Sequence, residues 1–174
     1  MRSRSGLYNI LLNTLLTLVS IACFPANPLV LTGILEIESY TVPFAAGCIT
    51  WLFGIILVAS PVIMFRKHGG VPIKKSFVHT TKIVTTGIYG VVRHPQYTGG
   101  VYSIFLTTLL WYPHLIFAML GLFGTALIYV SCREEDKLLT AKFGTDYVAY
   151  MGRVPRMNIF LGILRKLRSN SRKW

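Results

Sequence analysis

The sequence predicts an all-α integral membrane protein with four to five transmembrane helices and a cytoplasmic helical subdomain at its C-terminal end. Of the 174 residues, 53% are hydrophobic and only 14% are charged, whereas soluble domains have about 25% charged residues. Several uncharged runs approach or exceed the roughly 20 residues that a helix needs to cross a bilayer. The basic residues, which give a net charge of +12, flank these runs.

The uncharged runs define four candidate spans, Leu7–Phe24, Thr41–Phe65, Tyr97–Trp111 and Leu115–Cys132. The first run follows two arginines, as a signal peptide does, but it is longer than the usual apolar run of 7–15 residues. We therefore interpret it as a retained span. The last two runs are separated only by Tyr112-Pro113-His114, and this short turn predicts an antiparallel helical hairpin.

The positions of the basic residues predict the orientation of the spans. All 18 lysines and arginines precede the first span, lie between Arg66 and Lys82, occur at Arg93, or follow Cys132. The loop 25–40 and the turn 112–114 contain none. Because lysine and arginine accumulate on the cytoplasmic side, we predict four crossings with both termini and the polar C-terminal half in the cytoplasm.

Two shorter segments leave the helix count open. Residues 28–37 are apolar but too short to cross, so they form either a re-entrant or an interfacial helix. Residues 157–167 have apolar side chains on one helical face and basic ones on the other, which suits either a helix in the headgroup plane or a packing helix. We divide the chain into N-terminal membrane helices, 1–70, and a C-terminal region, 71–174, that contains the hairpin 96–132.

Some classes of protein and site are disfavoured. The three cysteines are far apart and form no cluster with histidine, so the sequence predicts neither a disulfide framework nor a metal site. The basic residues flank membrane spans, which favours anionic lipid headgroups over nucleic acid as the partner. The sequence also lacks a phosphate-binding loop with its lysine and the βαβ unit of a dinucleotide-binding fold.

The stretch from Thr81 to Gly100 has the first set of candidate functional residues. Pro95 suits the first turn of a helix, which places Arg93 and His94 just before that helix. Backbone N–H groups at such a position can hold a carboxylate. Gly99 and its neighbour leave the helix surface bare, so a ligand or another helix can approach closely.

The stretch from Arg133 to Arg156 has the second set. It begins with three acids, Glu134, Glu135 and Asp136, which either pair with nearby basic residues or have a functional role. We expect the helix to continue past them to Phe143-Gly144, with Thr145 or Asp146 capping the next helix. The two stretches together offer groups for a carboxylate, an ammonium and a flat base, which are the parts of S-adenosylmethionine.

These stretches contain a recognisable pattern, formed by Gly87-Ile88-Tyr89, Arg93-His94-Pro95-Gln96-Tyr97-Thr98-Gly99, Glu134-Glu135, Phe143-Gly144, Tyr147, Tyr150 and Arg153-Val154-Pro155. The pattern closely resembles the isoprenylcysteine carboxyl methyltransferase family, to which membrane phospholipid N-methyltransferases are related. The resemblance covers about residues 74 to 156 and implies a catalytic region that encloses S-adenosylmethionine on the cytoplasmic side.

The resemblance also implies roles for individual residues. Cofactor contacts are expected from Lys74, Lys82, Ile83, Val84, Tyr89, His94, Pro95, Gln96, Tyr97, Gly99 and Glu135. Catalytic roles are expected for Glu135, Arg133 and Arg153, and no metal is implied. The chain departs from the family by having Thr81 in place of a histidine and Ser131 in place of the arginine that holds the substrate carboxylate. Arg133 or Arg153 would have to replace that arginine.

The sequence is compatible with four functions. The first is methylation of a prenylcysteine carboxylate, for which the partners are membrane lipids and a prenylated acceptor. The second is N-methylation of an aminolipid, with Glu134 or Glu135 as the base that removes a proton from the ammonium. Two more distant alternatives are a sterol-reductase-like protein that binds a nicotinamide and a lipid-binding protein that is not an enzyme.

Overall fold

The computed structural model describes residues 2–23, 30, 33, 40–70 and 80–171. Within these ranges every element of regular secondary structure is helical, which confirms the all-α prediction. The elements in chain order are α1 (Arg2–Ala22), α2 (Thr41–His68), a 3₁₀ turn (Gly87–Gly90), α3 (Pro95–Gly100), a π-helical segment (Val101–Leu106), α4 (Thr107–Trp111), α5 (Leu115–Phe143), α6 (Thr145–Arg153) and α7 (Ile159–Ser171).

In the described part of the chain, two helices are long and apolar enough to cross a membrane, namely α2 and α5. Large apolar side chains on these helices face outward: Leu122 is 76% exposed and Ile49 is 71% exposed. Such exposure is unfavourable in water and is expected for a surface that faces lipid. The predicted crossing that begins at Leu7 overlaps α1 as far as Ala22, and the predicted crossing Tyr97–Trp111 lies within helical segments. Passage of both through a membrane stays a prediction.

Residues of the chain fall into two compact units, the first formed by Met1–Ile55 and Gly99–Ser131. In this unit a glycine lets two backbones touch. A Cβ atom at Gly54 would lie 2.5 Å from the amide nitrogen of Ser103 and 2.7 Å from the carbonyl oxygen of Gly99. Helix α2 therefore approaches the backbone at Gly99 closely, while contact of Gly99 with a ligand stays a prediction.

The predicted hairpin turn at Tyr112-Pro113-His114 is confirmed, because α4 ends at Trp111 and α5 begins at Leu115. The Phe105 ring packs so closely against α5 that a Cβ atom at Gly124 would overlap it. Glycine at this position therefore fixes how near the two arms of the hairpin approach. Trp111 also donates its indole N–H to the carbonyl of Phe44 at 3.1 Å.

The π-helical segment Val101–Leu106 lies between α3 and α4 without a break, so residues 95–111 are helical throughout. The amide of Thr107 is hydrogen-bonded to the carbonyl of Tyr102, five residues earlier. The Thr107 hydroxyl donates to the same carbonyl at 2.9 Å. A side-chain donor thus adds to the bonding at this wide turn, which sequence patterns did not predict.

The second unit comprises Ile56–Thr98 and Cys132–Trp174. Its core consists of Tyr147, Tyr150 and Val154, packed against apolar side chains that include Leu139 and Phe143. The Tyr150 hydroxyl donates to the carbonyl oxygen of Tyr89 at 2.7 Å. Helix α6 is therefore tied to the 3₁₀ turn that precedes the Arg93-His94 segment.

The end of α5 at Phe143 agrees with the sequence prediction. The expected cap of the next helix does not agree. Helix α6 begins at Thr145, and its N-cap residue is Gly144, which has a φ of +61°. A positive φ is readily adopted by glycine, and this conformation places Thr145 and Asp146 inside the helix rather than at its cap.

The amphipathic segment predicted at 157–167 is confirmed as a helix, α7. Its Gly162 lies against the carbonyl group of Val91, where a Cβ atom would overlap the oxygen. The segment 28–37 lies outside the described residues except for Val30 and Gly33, and the boundary between 70 and 71 stays a prediction.

Candidate active site

The second unit contains a buried carboxylate that accepts four hydrogen bonds. Asp136 is 5% exposed. Its Oδ1 atom accepts from Arg93 at 3.0 Å, from His94 at 2.9 Å and from the Tyr147 hydroxyl at 2.8 Å. Its Oδ2 atom accepts from Arg156 at 2.7 Å. We call these five residues the Asp136 cluster.

His94 is 4% exposed and lies between two carboxylates. Its Nε2 atom faces Asp136 Oδ1 at 2.9 Å, and its Nδ1 atom lies 3.5 Å from Glu135 Oε2. A neutral imidazole has one N–H, whereas the imidazolium has two. Burial alone would lower the pKa of His94, but the hydrogen bonds to Asp136 and Glu135 and their charges raise it above its ordinary value.

Asp136 follows the apolar stretch of α5, which ends at Cys132. Burial would raise the pKa of Asp136, but hydrogen bonds from His94, Arg156 and Tyr147 lower it well below its usual range. The carboxylate is therefore charged at every physiological pH. Removing one partner from such a group lowers the stability of the protein by about 3–5 kcal/mol, because it leaves a buried charge without compensation.

The backbone holds the same elements together. The amide of Arg93 donates to the carbonyl of Pro155 at 3.0 Å, and the amide of His94 donates to the carbonyl of Arg156 at 3.1 Å. That N–H groups at the start of α3 hold a ligand carboxylate stays a prediction, but these two are bonded within the protein. They instead align the linker between α6 and α7 with the residues that precede α3.

One buried donor in this region lacks an acceptor. Among the described residues, the Nε atom of Arg93 is buried without a hydrogen-bond partner. Arg93 lines a cavity of about 60 Å³ together with Tyr89, Tyr147 and residues 82–84. The cavity holds one or two water molecules or a group the size of a carboxylate. A ligand carboxylate would satisfy the orphaned donor.

The structure brings together several residues that the sequence assigned to the cofactor. Lys82, Ile83, Val84 and Tyr89 all line this cavity. Tyr97 packs edge-on against the His94 ring, with 5.8 Å between ring centroids. These contacts place the residues in one region of the second unit, while their binding of a cofactor stays a prediction.

Pro95, Gln96 and Gly99 are not among the residues that line this cavity. Pro95 is buried at the start of α3, and Gln96 beside it is exposed. Gly99 belongs to the first unit. Lys74 lies outside the described residues.

The three predicted catalytic residues have different surroundings. The Glu135 side chain is 41% exposed while it faces His94. Arg133 is exposed on α5, and Arg153 lines a separate cavity with residues of α7. Ser131 donates its hydroxyl to the carbonyl of Leu127 at 3.1 Å, so it supplies no cation where the related family has an arginine.

Sequence reasoning missed the central role of Asp136 and did not select Tyr147 or Arg156. A signal was present in the helical spacing. Cys132, Asp136, Leu139 and Phe143 recur at the intervals of one helix face, and the other three positions on this face are apolar. A charged residue within an apolar stripe is expected to be buried with partners, whereas Glu134 pairs at the surface with Lys137 at 2.8 Å.

The comparisons with known proteins agree on one class of enzyme. The phospholipid methyltransferase family profile matches residues 42–146, more than half of the chain. A methanethiol S-methyltransferase of Pseudomonas deceptionensis is 30% identical over 125 residues, which cover 68% of this chain and 47% of the relative. A methanethiol S-methyltransferase of Crocosphaera subtropica is 35% identical over 81 residues, covering 47% of this chain and 31% of the relative.

A third relative, methanethiol S-methyltransferase 2 of Bradyrhizobium diazoefficiens, is 37% identical over 70 residues, covering 40% of this chain and 26% of the relative. The chain thus spans between about a quarter and about half of the length of these relatives. No solved structure matches the chain significantly.

Proposed function

The chain belongs to the phospholipid methyltransferase family, and from this premise we propose that it is an S-adenosylmethionine-dependent methyltransferase working at a membrane. The observation that carries the proposal is that a cationic and an anionic side chain, Arg93 and Glu135, both lie next to His94. Arg93 has a buried donor that lacks a partner among the described residues and that an anion would satisfy, and the carboxylate of Glu135, 41% exposed, is available to a cation. An amino acid head group has both charges.

The residues present fit this cofactor in the following way. Arg93 would hold the carboxylate of the amino acid head, Glu135 would hold its ammonium, and Tyr89 would contact the remaining part. When bound, the cofactor supplies a methyl group on an electrophilic sulfonium. The small cavity accommodates only the carboxylate, so the nucleoside would lie outside it.

The task of the protein in such a reaction is alignment rather than covalent chemistry. Holding the acceptor about 3–3.5 Å from the methyl carbon converts a bimolecular reaction into an effectively unimolecular one. The Asp136 cluster fixes Arg93 and His94 for this purpose. Burial raises the pKa of Tyr89 and of Tyr147, so these phenols stay protonated.

We propose a thiol as the methyl acceptor. The three relatives are named for S-methylation of methanethiol, and a thiol needs no cation at the position that Ser131 occupies. With the cofactor bound, the thiol would lose its proton to water and its sulfur would take the methyl group, while the bond between that methyl group and the sulfonium breaks. The products are a thioether and S-adenosylhomocysteine.

The carboxylate of a prenylcysteine is the second candidate acceptor, supported by the pattern of residues around Arg93-His94-Pro95 and Glu134-Glu135. It would require Arg133 or Arg153 to bring the carboxylate to the methyl group. An aminolipid, supported by the name of the matched family, would require Glu134 or Glu135 to remove a proton first. In both cases the acceptor enters from the membrane lipids.

The test uses the full chain purified in detergent with added lipid. Calorimetry should show micromolar binding of S-adenosylhomocysteine to the wild type and binding at least tenfold weaker for Glu135→Gln, since a hydrogen bond to a charged group contributes about 1.5–3 kcal/mol. Glu134→Gln removes a carboxylate one residue away, one that is paired with Lys137 at the surface, and should bind like the wild type. Absence of binding in a folded sample would refute the proposal.

A second experiment identifies the acceptor. The protein is supplied with S-adenosylmethionine labelled in the methyl group and, separately, with an alkanethiol, a prenylcysteine analogue and phosphatidylethanolamine. Label transferred to the alkanethiol alone would support S-methylation. Label transferred only to the prenylcysteine analogue or only to the aminolipid would assign the reaction to that acceptor and overturn the thiol.

A further inference from the structure

A second and larger cavity lies within the second unit, away from the orphaned donor of Arg93. Its volume is about 580 Å³. The 3₁₀ turn contributes Gly90, helix α6 contributes Arg153, and helix α7 contributes the basic side chains Arg165, Lys166 and Arg168. None of the described side chains that line it is acidic.

Size and charge together indicate an anionic ligand. Ligand-binding cavities generally measure about 300–1,000 Å³, so this one has room for a polar head group. Arg153, Arg165 and Lys166 face the same space, and their positive charges repel one another unless an anion lies among them. Guanidinium groups match the oxygens of a phosphate with two parallel hydrogen bonds.

Helix α7, which forms one wall of the cavity, has its apolar face turned outward. Phe160, Ile163, Leu164 and Leu167 follow the spacing of a single helix face and are 74%, 44%, 53% and 61% exposed. The opposite face packs inward: Gly162 lies against the Val91 carbonyl, and Lys166, four residues later, lines the cavity. A helix of a soluble domain has the reverse arrangement.

We propose that this cavity binds the phosphate of an anionic phospholipid head group while the outward face of α7 enters the acyl region of the same leaflet. The phosphate would be held by Arg153, Arg165 and Lys166. The exposed apolar face beside the cavity selects a lipid over a free phosphate, because only a lipid has both the anion and the hydrocarbon. Helices with one basic and one apolar face lie at this depth of a membrane.

The site is distinct in chemistry from the proposed methyl transfer. A lipid such as phosphatidylglycerol contains neither a thiol nor an amine, so it would be bound at the cavity without being methylated. Binding of this lipid and methylation of any acceptor can therefore fail independently of one another.

The experiment measures how strongly the full chain, purified in detergent, binds phosphatidylglycerol and phosphatidylcholine from mixed micelles, for example by native mass spectrometry or by quenching of a fluorescent lipid. We expect clear preference for phosphatidylglycerol. In Arg165→Gln/Lys166→Gln, affinity for phosphatidylglycerol should fall roughly 10- to 30-fold, given typical contributions of basic residues at anionic surfaces.

The matched control is Arg66→Gln/Lys67→Gln. It removes an identical adjacent pair of exposed charges in the same unit, at the end of α2, and it should retain the wild-type affinity. Equal losses of affinity for phosphatidylglycerol in the two variants would show that binding depends only on the total surface charge, and this result would overturn the proposal.

Two further results would overturn it. One is binding of inorganic phosphate or glycerol phosphate as tight as that of the lipid, with the same loss in Arg165→Gln/Lys166→Gln, which would define a site for free anions. The other is equal binding of the two lipids by the wild type. A folded state that matches the wild type by circular dichroism is checked for both variants.

Discussion

The Nε2 atom of His94 lies 2.9 Å from Oδ1 of Asp136, and both side chains are almost completely buried. The two residues are separated by 42 positions in the sequence, and His94 lies just before α3 whereas Asp136 lies in α5. Their contact joins the segment before α3 to the cytoplasmic end predicted for α5. Because Arg93, Arg156 and Tyr147 bond the same carboxylate, this pair is the centre of the second unit.

The first prediction concerns the charge of Asp136. Asp136→Asn keeps the shape but removes the negative charge to which Arg93, His94 and Arg156 are bonded, so we expect stability to fall by about 3–5 kcal/mol. Thermal unfolding in detergent measures this loss. Glu134→Gln breaks an exposed pair with Lys137 and should cost at most about 1 kcal/mol. A loss in Asp136→Asn as small as that in Glu134→Gln would contradict a structural role for the cluster.

The second prediction concerns pH. Burial lowers the pKa of His94, but the hydrogen bonds to Asp136 and Glu135 and their charges raise it overall. The stabilisation from a raised histidine pKa is complete below the unfolded value of about 6.5 and is lost as pH rises through the folded value. We expect the melting temperature to fall as pH increases from 6 to 9.

His94→Gln provides the control for the pH dependence. Glutamine does not titrate, so its melting curve should lack this decrease, although the protein will be less stable at pH 6. At the acidic end the lowered pKa of Asp136 has the opposite sign: its stabilisation is present above about pH 3.9 and is lost at lower pH. Identical slopes for wild type and His94→Gln between pH 6 and 9 would show that His94 is neutral in the folded protein.

The third prediction concerns Gly54 in the first unit. Gly54→Ala places a Cβ atom 2.5 Å from the backbone nitrogen of Ser103, and backbone cannot move as easily as a side chain. We expect a loss of about 1–3 kcal/mol, typical of overpacking. Gly152→Ala is the matched control, because its Cβ meets no atom within 4 Å. In a helix this change should stabilise by up to about 1 kcal/mol.

The fourth prediction concerns the docking of α7. Gly162→Ala would drive a methyl group into the Val91 carbonyl, so α7 should separate from the segment that leads to His94. Hydrogen exchange of α7 amides should become faster while exchange in α2 is unchanged. Ser169→Ala, an exposed change on the same helix, should leave exchange as it is in the wild type. Unaltered exchange in Gly162→Ala would mean that the helix shifts to accommodate the methyl group.

Local signals were sufficient for much of the fold. Pro95 marked the start of α3, the turn 112–114 marked the hairpin, and Gly144 marked the end of α5, because each depends on the conformation of one or two residues. The amphipathic pattern of 157–167 likewise predicted α7. These features need no knowledge of distant parts of the chain.

The site was less predictable because it depends on which side chains meet across long separations. Three consecutive acids looked alike in the sequence, yet they face different surroundings: Glu134 a surface lysine, Glu135 a histidine at the solvent boundary, and Asp136 the buried cluster. Neighbouring residues on a helix point about 100° apart. The resemblance singled out Glu135. The partners of Asp136 can be recognised only once the backbone hydrogen bonds between residues 93–94 and 155–156 are known.

The wide turn at Val101–Leu106 bears on which changes of length the chain can tolerate. A π turn has one residue more than an α turn, so deleting a single residue there would restore ordinary helical winding. Helix α5 is α-helical between Leu115 and Asp136, so it has no extra residue that a deletion could remove. A deletion there would rotate Asp136 by about 100° relative to the start of that helix and away from Arg93. Natural variants that differ by one residue are therefore expected to accumulate in the first helix of the hairpin and to be rare in the second.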